Sequence, residues 1–246
     1  MNDALGDRMK KYENTTRYYL PPRTPIIIRV DGKAFHTYTK NCIEPFSNVL
    51  INIMNEVGLH LCENIQGAEL AYIQSDEISI LVHYYKKYTS SAWFDNNLQK
   101  LVSVSASLAT EAFINSLMRR PIAWQSQFGG KTPNFDSRAF CIPVADVCNY
   151  FIWRQKDWER NSLQLLARSL YSHNELHAKK RDELHDMCIA KGNNWNQLPG
   201  YYKRGRCVKL LCNTDTPVTK REWVVETPPI FTKDRDYVEE HLFVEQ

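Results

Sequence analysis

Two carboxylates stand side by side inside an apolar run of β-forming residues, Ala71-Tyr72-Ile73-Gln74-Ser75-Asp76-Glu77-Ile78-Ser79-Ile80-Leu81-Val82. A strand interior tolerates an ionised Asp only where something compensates its charge, because uncompensated burial is strongly unfavourable. Successive strand side chains also point to opposite faces, so Asp76 and Glu77 do not both serve one site from a straight strand. Either the run bends at Ser75-Asp76-Glu77 into a hairpin, or one carboxylate is solvated while the other meets a cation. A further carboxylate, Asp31, closes the apolar run PIIIRVDG just before Gly32. If that strand and the hairpin are neighbours in one sheet, Asp31 and Asp76 point to one edge. With a backbone carbonyl near Gly32 they then form a hard oxygen site suited to Mg²⁺, an ion that keeps waters and phosphates as its remaining ligands. Two such metals stabilise both the attacking and the leaving oxygen in phosphoryl transfer. The bland alternatives are an exposed hairpin tip and two unrelated turn aspartates.

The residues after Asp31, Gly32-Lys33-Ala34-Phe35-His36, suit a triphosphate, since a glycine permits a tight turn whose N–H groups face anionic oxygens. No Walker A pattern is present. Phe35 or His36 is a candidate to pack on a base or ribose, with Phe35 equally suited to the core, and Lys100 is a candidate for the phosphates. His173 and His177 stand four residues apart, a metal-like spacing, but H-E-x-x-H is not matched and no third ligand is evident. With Arg181 and His185 on the same expected face, and Lys179 and Lys180 alongside, a basic RNA-facing stripe is a stronger reading than zinc, with a solvated helix face as the alternative. Tyr201-Tyr202-Lys203-Arg204-Gly205-Arg206 combines aromatic platforms with cations, as single-stranded RNA ends require.

The pattern of elements needed to position these groups is legible. Asp7–Glu13 reads as a short helix and Ile26–Val30 as a buried strand. A helix capped by Ser47 carries Val49, Ile53, Val57 and Leu61 on one face. Two strands flank Ser75-Asp76-Glu77, a helix covers Asn97–Arg119, and Phe135–Val144 reads as another strand. The order β-α-β-β-α-β is that of split βαβ, ferredoxin-like domains. Helices are expected over 149–169 and 172–190, the latter closed by Gly192, and CVKLLC and EWVVETPPIF give two short strands. The fold class is thus α+β, with residues 1–148 as a palm-like region joined directly to a helical, RNA-facing region, 149–246.

At 246 residues, 43% hydrophobic and 24% charged, the chain can bury a sizeable core. No membrane span and no secretory leader is expected. Seven cysteines without a C-x-x-C pair argue for reduced thiols and a cytoplasmic location. The net charge of +3 is uneven: residues 151–210 hold twelve Lys or Arg against six Asp or Glu, a polyanion-facing surplus, while 211–246 hold four against eight.

LGDRMKKYE, IIIRVDGKAFH, AYIQSDEISILV, FDSRAFCIP, YFIWRQKDW and NWNQLPGYYKRG together resemble the tRNA-His guanylyltransferase family, which adds nucleotides to RNA 5′ ends in the 3′-to-5′ direction. The resemblance implies a polymerase-palm-like fold with helical elaboration, a homotetramer, two Mg²⁺ ions, and ATP and GTP or another NTP as substrates beside tRNA. It implies catalytic roles for Asp31, Asp76 and the supporting Glu77, with Asp31, Gly32 and Asp76 as metal ligands. Arg29, Gly32, Lys33, Ala34, Phe35, His36, Ser75 and Lys100 fall to the nucleotide, and Lys179, Lys180, Arg181, Lys203 and Arg204 to RNA. Two segments depart from the family pattern. Glu159–Leu165 stand where tRNA-His-specific members carry H-I-N-N-L-Y-N, and Glu44-Pro45-Phe46-Ser47 replaces Lys-Pro-x-Asp. Both resemble the "Thg1-like" branch associated with templated repair of 5′-truncated tRNAs. The alternatives are a dedicated guanylyltransferase placing one G on tRNA-His, a palm-type nucleotide cyclase, and a non-catalytic RNA-binding module.

Overall fold

In the computed structural model, which describes residues 4–42, 45–87, 89–128, 131–213 and 220–242, six strands form one antiparallel sheet in the order β4-β1-β3-β2-β5-β6. The strands are β1 (Ile26–Gly32), β2 (Ala68–Gln74), β3 (Glu77–Val82), β4 (Phe135–Cys141), β5 (Arg206–Asn213) and β6 (Lys220–Glu226). The helices are α1 (Ala4–Asn14), α2 (Phe35–Tyr38), α3 (Asn48–Asn64), α4 (Leu98–Met118), α5 (Ile122–Gln125), α6 (Val144–Leu170), α7 (His173–Leu176), α8 (Arg181–Ala190), α9 (Gly200–Arg204) and α10 (Asp236–Glu239). Through β4 the chain follows the split βαβ order expected from sequence. The strands β5 and β6 then extend the same sheet beyond β2.

The apolar run of β1 shows no alternation because helices cover both faces of the sheet. Ile26, Ile28, Val30, Ile73, Ile78, Ile80 and Val208 face α3 and α4. Ile27, Leu70, Tyr72 and Leu81 face α6 and the C-terminal Phe231 and Val238. Ser47 caps α3, its hydroxyl accepting from Leu50 N at 3.3 Å, and Asn97 caps α4 in the same way. Small residues let α4 lie close to β4, with Ser105 and Ser137 hydroxyls 2.7 Å apart. By length and composition α4 also meets the size of a membrane span, but its Leu101, Ala109 and Phe113 are buried in this core.

Three expectations are corrected. The strand β4 ends at Cys141 rather than Val144, because Pro143 opens α6 there. The helix expected over 172–190 is two helices, α7 and α8, interrupted at Ala178 with φ of 58°. His173 and His177 therefore do not share a continuous face with Arg181 and His185. Gly192 does stand past the end of α8 at φ 76°, with Asn193 N donating to Cys188 O as in a helix-ending turn. Glu44 and the side chain of Cys212 lie outside the described residues.

Candidate active site

The antiparallel register sets Asp31 opposite Glu77 on β3 and opposite Asp136 on β4, which gathers carboxylates from three strands at one end of the sheet. Between Gln74 and Glu77 the hairpin turns in two residues, with Ser75 at a φ of 47°. That turn answers the problem of adjacent carboxylates. Asp76 leaves the strand at the tip, while Glu77 stays in the ladder and faces α6.

Glu77 is only 8% exposed, and the cation it needs comes from α6. Arg154 donates from Nε to Oε1 at 2.8 Å and from Nη2 to Oε2 at 2.9 Å, a bidentate pair. Gln74 Nε2 donates to the same carboxylate at 3.0 Å, and Arg29 Nε stands 3.9 Å away. Burial pushes the Glu77 carboxyl up, against the pull of Arg154 and then Arg29. Asp157 accepts from Arg154 Nη2 at 3.0 Å, tying α6 into the same network. Sequence reasoning assigned Arg154 no role, although it interrupts an otherwise apolar buried stripe of α6 that runs through Val147, Phe151 and Trp158.

Asp31 and Asp76 have no such partner. Both are half-buried, and among the described residues neither lies within 4 Å of a Lys or Arg nitrogen. Burial, more than any neighbour, raises the carboxyl of Asp31, while Arg29 opposes it and Asp136 adds repulsion. Burial likewise raises Asp76 to about 6, with the Ser75 hydroxyl opposing and the Asp31 charge adding to the rise. The Asp76 carboxylate hangs directly over Gly32: a Cβ at Gly32 would meet Asp76 Oδ2 at 2.7 Å and collide with the Phe35 ring. Only glycine leaves the carboxylate that room.

This donor set suits a divalent cation. Two unneutralised carboxylates and the adjoining Gly32 carbonyl offer oxygen ligands only, as Mg²⁺ requires. Among the described residues no group of three or more His, Cys, Asp or Glu forms a ready-made metal cage. The remaining ligands would be phosphate oxygens and water, the usual arrangement for Mg²⁺ at a nucleotide.

The folded pKa of Asp76, about 6, lies above its ordinary value of 3.8, so the ligand-free fold holds this proton more tightly than the unfolded chain does. The stability this confers is fully present below about pH 4 and lost as pH rises through about 6, which amounts to about 3 kcal/mol. Urea unfolding of the wild type and of Asp76→Asn across that range should show their difference moving by roughly this amount in favour of the variant. A difference that stays flat would mean that Asp76 ionises freely.

A cleft of ≈ 560 Å³ opens beside the carboxylates, lined by His36, Thr39 and Lys40 from the α2 region, Ser75 and Asp76 from the hairpin, and Trp158, Asn161, Gln164 and Arg168 from α6. The structure thus brings Asp31, Gly32, Ser75, Asp76 and His36 to one end of the sheet. Lys33 is exposed on the same loop, and Ala34 takes a left-handed φ of 55° before α2 begins. The 159–165 segment contributes Asn161, Gln164 and Leu165 to the cleft wall, whereas Ser162 is buried and accepts from Trp195 Nε1 at 2.9 Å.

Phe35 is largely core, 3% exposed and packed on Tyr38, Phe113 and Phe135, and it also contributes to the lining of the cleft. Lys100 sits in the first turn of α4, whose cap Asn97 bridges to Tyr19 near the start of β1. Its ammonium lies 5.5 Å from the centre of the Phe94 ring, and Lys100 is not among the residues lining the cleft. Tyr202 is stacked on Phe46 at 4.5 Å and donates to Asn48, and Lys203 donates to Asn196 O. Both side chains thus have partners within the chain. Arg204 is half-buried in the same α9 turn. Lys179, Lys180 and Arg181 are exposed between α7 and α8, with Lys179 3.2 Å from Glu183.

A split βαβ sheet carrying two unpaired aspartates at the end of β1 and the tip of the central hairpin defines a palm-type active site, the scaffold of a nucleotidyltransferase. A family model described as tRNAHis guanylyltransferase matches residues 6–143. A tRNA(His) guanylyltransferase of Schizosaccharomyces pombe is 31% identical over 222 residues, covering 83% of this chain and 80% of that protein. The chain belongs to the tRNA-His guanylyltransferase family. A bacterial tRNA(His) guanylyltransferase (Thg1)-like protein solved in complex with ATP superposes with a TM-score of 0.90 at 41% identity, covering 98% of this chain and 100% of that one. A GTP complex of such a bacterial Thg1-like protein, again 41% identical, gives 0.81 over the same shares. A Saccharomyces cerevisiae tRNA(His) guanylyltransferase at 22% identity shares the fold, with a TM-score of 0.68.

Proposed function

We propose that this protein is a Mg²⁺-dependent enzyme that adds nucleotides in the 3′-to-5′ direction to tRNA 5′ ends and restores 5′-truncated tRNAs against the opposing strand. The observation that carries the reading is the pair Asp31 and Asp76, left without a cation of their own among the described residues, with Asp76 lining a cleft to which Asn161, Gln164 and Leu165 contribute. The RNA 5′-monophosphate attacks the α-phosphorus of ATP or GTP, releasing pyrophosphate and leaving a nucleotidylated 5′ end, and the 3′-hydroxyl of an incoming NTP then attacks the RNA 5′-phosphorus, releasing AMP or GMP. Asp31, Asp76 and the Gly32 carbonyl would hold two Mg²⁺ ions. When bound, the ions supply charge neutralisation for the departing pyrophosphate and lower the pKa of the attacking hydroxyl. The Glu77–Arg154 pair fixes the hairpin that carries Asp76, and the Gly32–His36 loop faces the triphosphate. Lys179, Lys180 and Arg181, with Arg204, contact RNA phosphates and set its position without reading its sequence. The protein works in the cytoplasm as a homotetramer. Support for assembly comes from α1, which buries no residue and exposes Leu5, Met9 and Tyr12 along one face.

Templated repair rather than tRNA-His specificity is favoured by the cleft wall. The family's leading histidine is Glu159 here, and Ser162 is turned into the core toward Trp195. Watson–Crick pairing with the opposite strand selects the nucleotide while the protein reads helix shape and phosphates. Several different tRNAs lacking their first nucleotide should therefore each be extended, with the added base following the template. The measurement is kcat/KM on these tRNAs against full-length tRNA-His. A preference above about tenfold for tRNA-His, or about 1.4 kcal/mol, would assign a dedicated guanylyltransferase instead. Turnover of NTP alone would assign a cyclase.

A further inference from the structure

The first turns of α3 carry a second stripe beside the apolar one. Asn48, Asn52 and Asn55 recur at i, i+4 and i+7, which lines three amides along one helix face. A pocket of ≈ 270 Å³ lies against that stripe, closed by Arg206 on β5, Glu226 on β6, Thr227 and Tyr201 on α9. It shares no lining residue with the catalytic cleft, to which α3 contributes Leu50 instead. The polar groups around the pocket are biased toward donors. Arg206 Nε donates to Asn55 Oδ1 at 2.8 Å, and the Tyr202 hydroxyl donates to Asn48 Oδ1 at 2.8 Å. With those oxygens engaged, the NH₂ groups are what Asn48 and Asn55 have left to offer. Arg206 is 3% exposed, and its Nη2 has no partner. Among the described residues no Asp or Glu lies within salt-bridge distance of Arg206, and Glu226 is held by Lys209 at 2.8 Å. A buried guanidinium with no counter-charge has lost its hydration and gained nothing in exchange. Buried Arg nitrogens ordinarily find acceptors, so this one marks where an acceptor comes from outside the chain.

We propose that this pocket is a phosphate-binding site, separate from the catalytic cleft, in which Arg206, Asn52 and Asn55 donate to the phosphate oxygens. The donors come from a helix and a strand rather than from one plane. Such a spread suits the tetrahedral oxygens of a phosphate better than the two coplanar oxygens of a carboxylate. Two sources carry this chemistry, a backbone phosphate of RNA and free inorganic phosphate. The RNA source rests on the nucleotidyl-transfer reading, whereas the site itself does not.

The test is an NMR titration with inorganic phosphate, read on the side-chain N–H signals of Arg206, Asn52 and Asn55. Mg²⁺ is left out, so that the aspartates of the cleft recruit no phosphate. In the wild type these signals should shift and saturate. Asn52→Leu, at an exposed position where the fold is not at stake, should weaken phosphate at least about threefold. It should bind GTP in Mg²⁺ within about twofold of the wild type. Arg206→Met should weaken phosphate at least about tenfold, read on the asparagine signals. Salt titrations of tRNA binding separate the sources. A slope smaller by about one in Arg206→Met assigns an RNA phosphate to the site. An unchanged slope beside a saturating phosphate titration assigns free phosphate. Wild-type signals that stay still in phosphate, together with an unchanged tRNA slope, would overturn the proposal. A folded Arg206→Met that loses GTP as much as phosphate would place Arg206 in the nucleotide site and also overturn it. Failure of the wild type to add nucleotides would defeat the nucleotidyl-transfer reading and leave the phosphate titration standing.

Discussion

Asp31→Asn and Asp76→Asn should each lower nucleotide addition by at least about a hundredfold, corresponding to about 2.7 kcal/mol or more of lost transition-state stabilisation. Asparagine preserves the shape of each side chain but halves its oxygen donors and removes its charge, and among the described residues the site has no third unpaired carboxylate in reserve. Asp136 is in register with Asp31, but its side chain is 57% exposed and it already faces Arg138 at 3.3 Å. Glu77 is committed to Arg154. The loss should come with no loss of stability, because neither aspartate has a salt-bridge partner to forfeit. Asp76→Asn removes a buried charge that the empty fold resists, as the raised pKa of Asp76 records. Steady-state addition assays paired with thermal unfolding separate the two effects. Activity within threefold of the wild type for either variant would remove the two-aspartate site.

This divergence of stability from function explains which parts of the molecule were legible in the sequence. Hydrophobic runs and caps report the folding energy of local elements. Ser47, Asn97 and the four-residue spacing of Val49, Ile53, Val57 and Leu61 all found their places. Asp31 and Asp76 were visible for the opposite reason, since charge inside apolar strands contradicts the local pattern and such conflicts concentrate at functional sites. The β-α-β-β-α-β succession of elements then gave the strand neighbours that bring them together.

What the sequence hid depends on contacts far apart in the chain. The break between α7 and α8 falls at Ala178, a residue with no sequence mark of a left-handed conformation. Lys100 reads as a free cation, and its place over the Phe94 ring in the first turn of α4 was not legible. Tyr202 and Lys203 read as an RNA platform, and their contacts to Phe46 and the Asn196 carbonyl, neither adjacent in sequence, were not legible. Arg206 is the reverse case. It reads as one cation in a basic cluster, yet the strand pairing with Ile73 places it in the interior beneath α3.

The buried Glu77–Arg154 pair yields the largest expected effect on stability. Arg154→Met keeps much of the aliphatic stem that packs in α6 but leaves Glu77 in the sheet with only Arg29 at 3.9 Å as a counter-charge. Removing one partner of a buried ion pair costs about 3–5 kcal/mol, because the survivor must be desolvated alone or take up a proton. Denaturant unfolding near pH 7 should register a loss of about that size. Adding Glu77→Gln should return most of it, since the neutral amide no longer needs a cation and Ser79 and Gln74 remain within hydrogen-bonding reach. A positive coupling energy in this double-mutant cycle identifies the pair, not the packing of the arginine stem, as the source. Nucleotide addition by the double variant then reports whether the pair matters for function beyond stability. If Arg29 and Gln74 alone orient the hairpin, addition recovers with the fold; if Arg154 sets the position of Asp76 through Glu77, addition stays depressed in a fully folded protein. A loss below about 1 kcal/mol in the single variant would show that Glu77 is already protonated in the fold and that α6 does not anchor the catalytic hairpin through charge.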